Sequence, residues 1–296
     1  MSSSSRSVGV REDASDLAFS FVRALADELA SGSIELPGFP HAVAGIQRVL
    51  NDDRADTARI VRAVGGEPVI AGQLIRMANS VVINASGTAV QDLRSAVARL
   101  GVDAVRTATI AFAVRQLRQA PALRGLEQRL GALWKRSVQI ASLSYTVGVR
   151  LTRVNPDTAM LAGLVQGVGK LYILSHASQY PGLFADPDIY QRIEQEWHLN
   201  IASALLENWD MADEIVEAVY ESENLERVAA GEEVGLADVL VAATLLAQFG
   251  AASEDLLARV RCAKPLHRLR LDFAACEAFI SDSAHEIAAL EDALSD

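Results

Sequence analysis

Few side chains in this sequence stand where they could do chemistry. Of the five histidines, His198 sits near the expected start of a helix, where it reads as a capping or partly buried hydrogen-bonding imidazole rather than a ligand. His176, His267 and His285 read as surface residues, and His41 follows Pro40 in an opening turn. Cys262 and Cys276 are too far apart for a CxxC metal knuckle and too few for a disulfide framework, so both are expected as buried thiols in a reducing compartment. Lys170 follows Gly167-Val168-Gly169 and could meet an anion at that turn, although a lone lysine beside glycines is more simply a solvated helix end. Asp210, Asp213 and Glu214 crowd a polar stretch where helix capping explains them. Asn79-Ser80 caps one helix and orders the next loop through bonds to its backbone, with a rigid partner-contact loop as the functional alternative.

The elements that must carry these residues are helices. Leu130, Leu133, Trp134, Val138, Ala141, Tyr145 and Val149 recur at spacings of three and four after Leu126, which lays an apolar stripe along one long helix. Val81-Val82-Ile83 is the one short strand candidate, inside a stretch rich in Asn, Ser and Gly. The chain is read as all-α. Asn155-Pro156-Asp157-Thr158 and Asp186-Pro187-Asp188 each supply an N-cap, a proline at the first helical position and an acid in the first turn. Gly65-Gly66-Glu67-Pro68 ends one helix and starts another, and Gly101 separates two more.

Composition narrows the partners. The 296 residues are 50% hydrophobic, enough for a sizeable core in one large or two closely packed units. A net charge of -11 repels a phosphate backbone, so nucleic acid is disfavoured. No run approaching about 18 consecutive apolar residues offers a membrane span, and the serine-rich opening has no apolar signal core.

Several pieces, in order, resemble the HDOD domain, a bacterial module related to the HD phosphohydrolases. They are Leu36-Pro37-Gly38-Phe39-Pro40, then Glu67-Pro68, then Gln73-Leu74-Ile75-Arg76-Met77-Ala78-Asn79-Ser80, then Val90 through Gly101, and the likeness extends over roughly residues 30–228. Leu161-Ala-Gly-Leu-Val-Gln-Gly-Val-Gly-Lys170 resembles the HD-enzyme segment Gly-Leu-Leu-His-Asp-Ile-Gly-Lys, whose His and Asp hold a catalytic divalent ion; Gln166 and Gly167 replace them, while Gly163, Gly169 and Lys170 match. The resemblance places Arg136 at the first metal histidine and His198 at the later one. It puts the next histidine pair near Glu221-Ser222 and the closing aspartate near Ala243-Thr244. One surviving imidazole falls short of the three protein ligands that a catalytic divalent ion needs.

The resemblance implies two packed helical halves, residues 16–118 and a degenerate HD-like 119–230. A disordered tail over 1–15 precedes them, and C-terminal helices over 231–296 pack on the HD-like half. It implies a cytoplasmic, non-enzymatic signalling module without cofactor that binds other signalling proteins, with Leu36, Pro37, Asn79, Ser80, Gly101, Gly169 and Lys170 as its motif or contact positions. The alternatives are a divergent phosphohydrolase and a non-hydrolysing nucleotide or cyclic-dinucleotide sensor using Arg136 and Lys170. A homodimer seam through Ile280, Ile287 and Leu294 is the remaining expectation.

Overall fold

The computed structural model describes the chain apart from residues 1–4, 33, 35, 37–40, 53, 85–86, 118–122, 229–232, 250–253 and 296. Helix follows helix throughout, with no strand among the described residues. The first half carries α1 (Ser5–Ser31), α2 (His41–Leu50), α3 (Thr57–Gly65), α4 (Pro68–Asn79) and α5 (Leu93–Leu117). The second carries α6 (Glu127–Leu151), α7 (Pro156–Val165), α8 (Val168–Ala177), a short 3-10 turn at Pro181–Ala185, α9 (Pro187–Asn208) and α10 (Asp213–Tyr220). Then come α11 (Leu236–Leu246), α12 (Glu254–Cys262), α13 (Lys264–Arg268) and α14 (Phe273–Ser295).

The punctuation works as the residue types dictate. Asn155 Oδ1 accepts from the amides of Asp157 and Thr158, and Asp186 Oδ1 accepts from those of Asp188 and Ile189, which satisfies donors that a helix start leaves orphaned. Gly101, at φ 79° and ψ 176°, interrupts α5 in a conformation that a side chain would resist. Val81-Val82-Ile83 forms turn, because Asn79 and Arg99 bind the loop to the helices instead of leaving it an extended partner.

The core runs through both halves. The stripe on α6 is buried or, at Leu133 and Tyr145, partly buried except at Val149, which is 49% exposed, and Trp134 packs inward. Where α6 meets α7 the backbones come close, since a Cβ on Gly163 would lie 2.7 Å from Ala141 Cα. Pro156–Ala177 is long and apolar enough to cross a membrane by composition alone, yet 89% of its window is buried, so its apolarity serves the core.

A polar joint fastens the halves. Arg106 donates to Gln47 Oε1, to the Leu50 carbonyl and to Asn51 Oδ1, while Asn51 Nδ2 donates to the carbonyl and carboxylate of Asp210 at 3.2 Å each. Asp210 takes a positive φ of 55° in the α9–α10 turn, and Asn208 reaches the Ile34 carbonyl at 2.7 Å.

Several expectations change. Helix α1 begins at Ser5, so the backbone expected as a disordered tail is helical over 5–15. The helix starts at a proline eleven residues ahead of His198, which therefore lies in the interior of α9 and does not cap it. His176 is half-buried, stacked on the Tyr172 ring at 4.0 Å and facing Glu28 of α1. Cys276 is buried but Cys262 is exposed. Helix α14 packs against α4 as well as α6, with Gln73 donating to the Leu294 carbonyl, so it spans the two halves, and Leu294 is buried within this chain rather than free for a dimer seam.

Candidate functional site

The positions that the resemblance matches to an HD centre come together around α6, the start of α8 and the end of α11. Arg136, on α6, sends Nη2 to the Thr244 carbonyl at 3.1 Å and Nη1 to the Ala247 carbonyl and to Gln139 Oε1. Thr244 and Ala247 belong to the last turn of α11, whose carbonyls lack intrahelical donors and mark the negative end of the helix dipole. The guanidinium therefore serves as a cationic C-cap. Burial, and then the like charge of Arg259, hold its pKa below the usual arginine value, with Glu223 pulling the other way.

Glu223 is the residue that organises the opposite side. Its Oε1 accepts from His198 Nε2 at 3.1 Å and from Lys170 Nζ at 3.2 Å. The His198 bond first, and the Lys170 charge with it, bring the Glu223 pKa down to about 2 against the opposing effect of burial. Nε2 faces the carboxylate as the donor, while Nδ1 is buried without a partner.

Glycines fix the geometry. A Cβ on Gly169 would fall 1.9 Å from the His198 carbonyl oxygen, so α8 and α9 cross in backbone contact there. A Cβ on Gly167 would stand 2.7 Å from Ser137 Oγ, so a side chain fits at 167 only if Ser137 turns away. Gln166 is buried at the end of α7, its amide bonded to the Ala162 carbonyl. The crevice between Trp134, Ser137, Leu164, Gly167 and Leu171 measures about 10 Å³, on the scale of a single water and far below a nucleotide.

These donors do not fit a catalytic divalent ion. Of these residues the imidazole of His198 and the carboxylate of Glu223 are bonded to each other, and the carboxylate is already met by the Lys170 charge. Arg136, which the resemblance matches to the first ligand, offers a guanidinium that carries its own positive charge. Among the described residues no group of three or more His, Cys, Asp or Glu side chains could hold a metal.

The structure keeps the other motif residues apart from this centre. Leu36 is buried in the core, and Pro37, with Phe39, lies outside the described residues. Asn79 clasps Val90 through both backbone groups at 2.7 Å, and Ser80 caps α4 with its amide on the Met77 carbonyl. Arg99 adds bonds to the carbonyls of Ala78 and Thr88 and to Asn84 Oδ1. Asn79, Ser80 and Gly101 thus shape the α4–α5 connection.

Two important acids escaped the sequence reading. Glu223 lies one residue beyond the pair Glu221-Ser222, and that adjacency was its only signal. Asp238 is fully buried on α11, where it meets Arg268 and Arg227 and closes a capping box on the Gly235 amide at 3.0 Å. The spacing Gly235-x-x-Asp238 could have revealed it. Asp213 and Glu214 sit in the first turn of α10, where they favour the dipole without making a side-chain cap.

Residues 36–225 match the family model described as the HDOD domain. The chain belongs to the HDOD domain family. Solved structures share the fold. A candidate metal-dependent phosphohydrolase from Shewanella amazonensis SB2B aligns at 20% identity and TM-score 0.75, over 94% of this chain and 99% of that one. An HDOD domain protein of unknown function from Geobacter sulfurreducens aligns at 21% identity and TM-score 0.62, over 92% and 97%. A candidate signal transduction protein from Marinobacter aquaeolei VT8 aligns at 20% identity and TM-score 0.56, over 96% of this chain and 66% of that one. A search of the curated proteins finds no match. The HDOD match spans the two halves joined at Asn51 and Asp210 and leaves α1 and the last helices outside it.

Proposed function

We propose that this HDOD protein is a non-catalytic signalling module of the bacterial cytoplasm that acts by binding other signalling proteins. The reading is carried by Arg136: at the place of the first metal histidine, a guanidinium closes the end of α11 through the Thr244 and Ala247 carbonyls. A second cation there would meet that fixed charge across a low-dielectric gap, and no ligand cage opposes the repulsion. Glu223 and His198, the remaining donors, are bonded to each other, and the Lys170 ammonium meets the Glu223 charge. The amino groups of Arg136 are also committed to carbonyls, which leaves little for the phosphates of a nucleotide.

Metal analysis of the purified protein, paired with a phosphodiesterase assay in added manganese or iron, tests this reading. The expected outcome is substoichiometric metal and no turnover above the buffer rate. Stoichiometric iron or manganese accompanied by metal-dependent hydrolysis overturns it.

A further inference from the structure

Helix α10 has two stripes. Ile215, Ala218 and Val219 face the core, whereas Asp213, Val216, Glu217 and Tyr220 recur at spacings of three and four along its outer side. That outer side faces Ser203 and Glu207, one turn apart on α9, across an open groove of about 460 Å³. The groove has an apolar floor, since Val216 is half-buried and the Tyr220 ring is 49% exposed. Its walls are carboxylates. Glu217 is held by Arg227 at 2.9 Å, and no lysine or arginine lines the groove to neutralise Glu207 or Asp213.

We infer that this α9–α10 groove is a docking surface for a basic amphipathic segment of a partner protein. An apolar side chain of that segment would rest on Val216 and Tyr220, with arginines or lysines reaching Glu207 and Asp213 and one lying over the exposed tyrosine ring. The commitment to a basic occupant follows from charge complementarity, because the groove is acidic at its walls and the chain as a whole carries -11. An acidic or neutral segment would leave both carboxylates desolvated without a counter-charge. The placement has a mechanical merit as well. The groove flanks the α9–α10 turn, where Asp210 receives Asn51 from the first half, so an occupant would bear on the joint between the halves.

The inference rests on the protein-contact reading above, and fluorescence anisotropy tests it separately. The probe is a labelled amphipathic peptide with arginines on one helical face and leucines on the other; its sibling has glutamine for every arginine. The whole chain should bind the arginine peptide and not the sibling. The double variant Glu207→Gln/Asp213→Asn, and Tyr220→Ala by itself, should each weaken binding about tenfold with unchanged helical content by circular dichroism. Glu277→Gln/Asp282→Asn, which removes the same charge from exposed positions on α14, should leave Kd unchanged. Absence of binding overturns the proposal, as does equal weakening by the α14 control, which would reduce the effect to net charge. A change of oligomeric state in the groove variants overturns it too, by making a second copy the occupant. If the peptide fails while the protein stays free of metal and activity, the groove is refuted and the signalling reading stands; metal-dependent turnover does the reverse.

Discussion

Gly169 of α8 lies directly against the carbonyl of His198 on α9, so closely that a Cβ at position 169 would stand 1.9 Å from that oxygen. The contact involves backbone on the α9 side, which cannot rotate away as a side chain can. Gly169→Ala should therefore push the helices apart and cost about 1–3 kcal/mol or more, as overpacking of a close-packed interior does. Urea denaturation followed by circular dichroism would measure it, and a stability equal to the parent's would show that the crossing has slack.

Glu223 predicts an acid-sensitive increment. Its pKa falls from 4.5 to about 2 on folding, so the stabilisation it gives is present in full above about pH 4.5 and is lost as the pH falls toward 2. Glu223→Gln should lower stability at neutral pH and flatten the decline over that window. The carboxylate is 38% exposed, so solvent screens part of the effect. Thermal melts of both proteins between pH 2 and 7 would check the sign, and parallel curves would contradict it.

Arg136 should matter as a cap. Arg136→Ala removes a donor from the Ala247 carbonyl and leaves Thr244 only Gln248 Nε2 at 3.2 Å, and should cost about 1–3 kcal/mol. Arg136→Lys, which keeps the charge without the planar fork, should recover only part of that. Full recovery by lysine, read from denaturant midpoints, would show that charge alone suffices.

Asp238 of α11 is fully buried against Arg268 and Arg227. Removing one member of a buried pair typically costs about 3–5 kcal/mol, and here Arg268 loses its carboxylate while Arg227 keeps Glu217. Asp238→Ala should therefore unfold at markedly lower urea than the parent. A small shift would mean that water reaches the arginines.

Much of this architecture was legible in the sequence wherever a feature is local. The α6 stripe, the Asn155 and Asp186 caps and the break at Gly101 each depend on residues within a turn or two of one another, and each stands where the pattern places it. The positions matched to an HD centre could be named but not connected. That Arg136 would reach the end of α11, 108 residues onward at Thr244, depends on a tertiary approach that no spacing encodes. The same holds for Glu223 and its two partners, 25 and 53 residues away. His198 was misplaced because the proline that starts α9 lies three turns upstream, so its surroundings look like a boundary although they are interior. Residue type alone predicts a buried Cys262, whereas the end of α12 leaves it in solvent.

The guanidinium at the end of α11 has a consequence for supply. A metal plug can be stripped by a chelator or go missing when a cell is starved of iron, whereas this charge is covalently part of the chain and arrives with translation. The end of α11 is thus closed as soon as the chain folds, with no loading step for that cap.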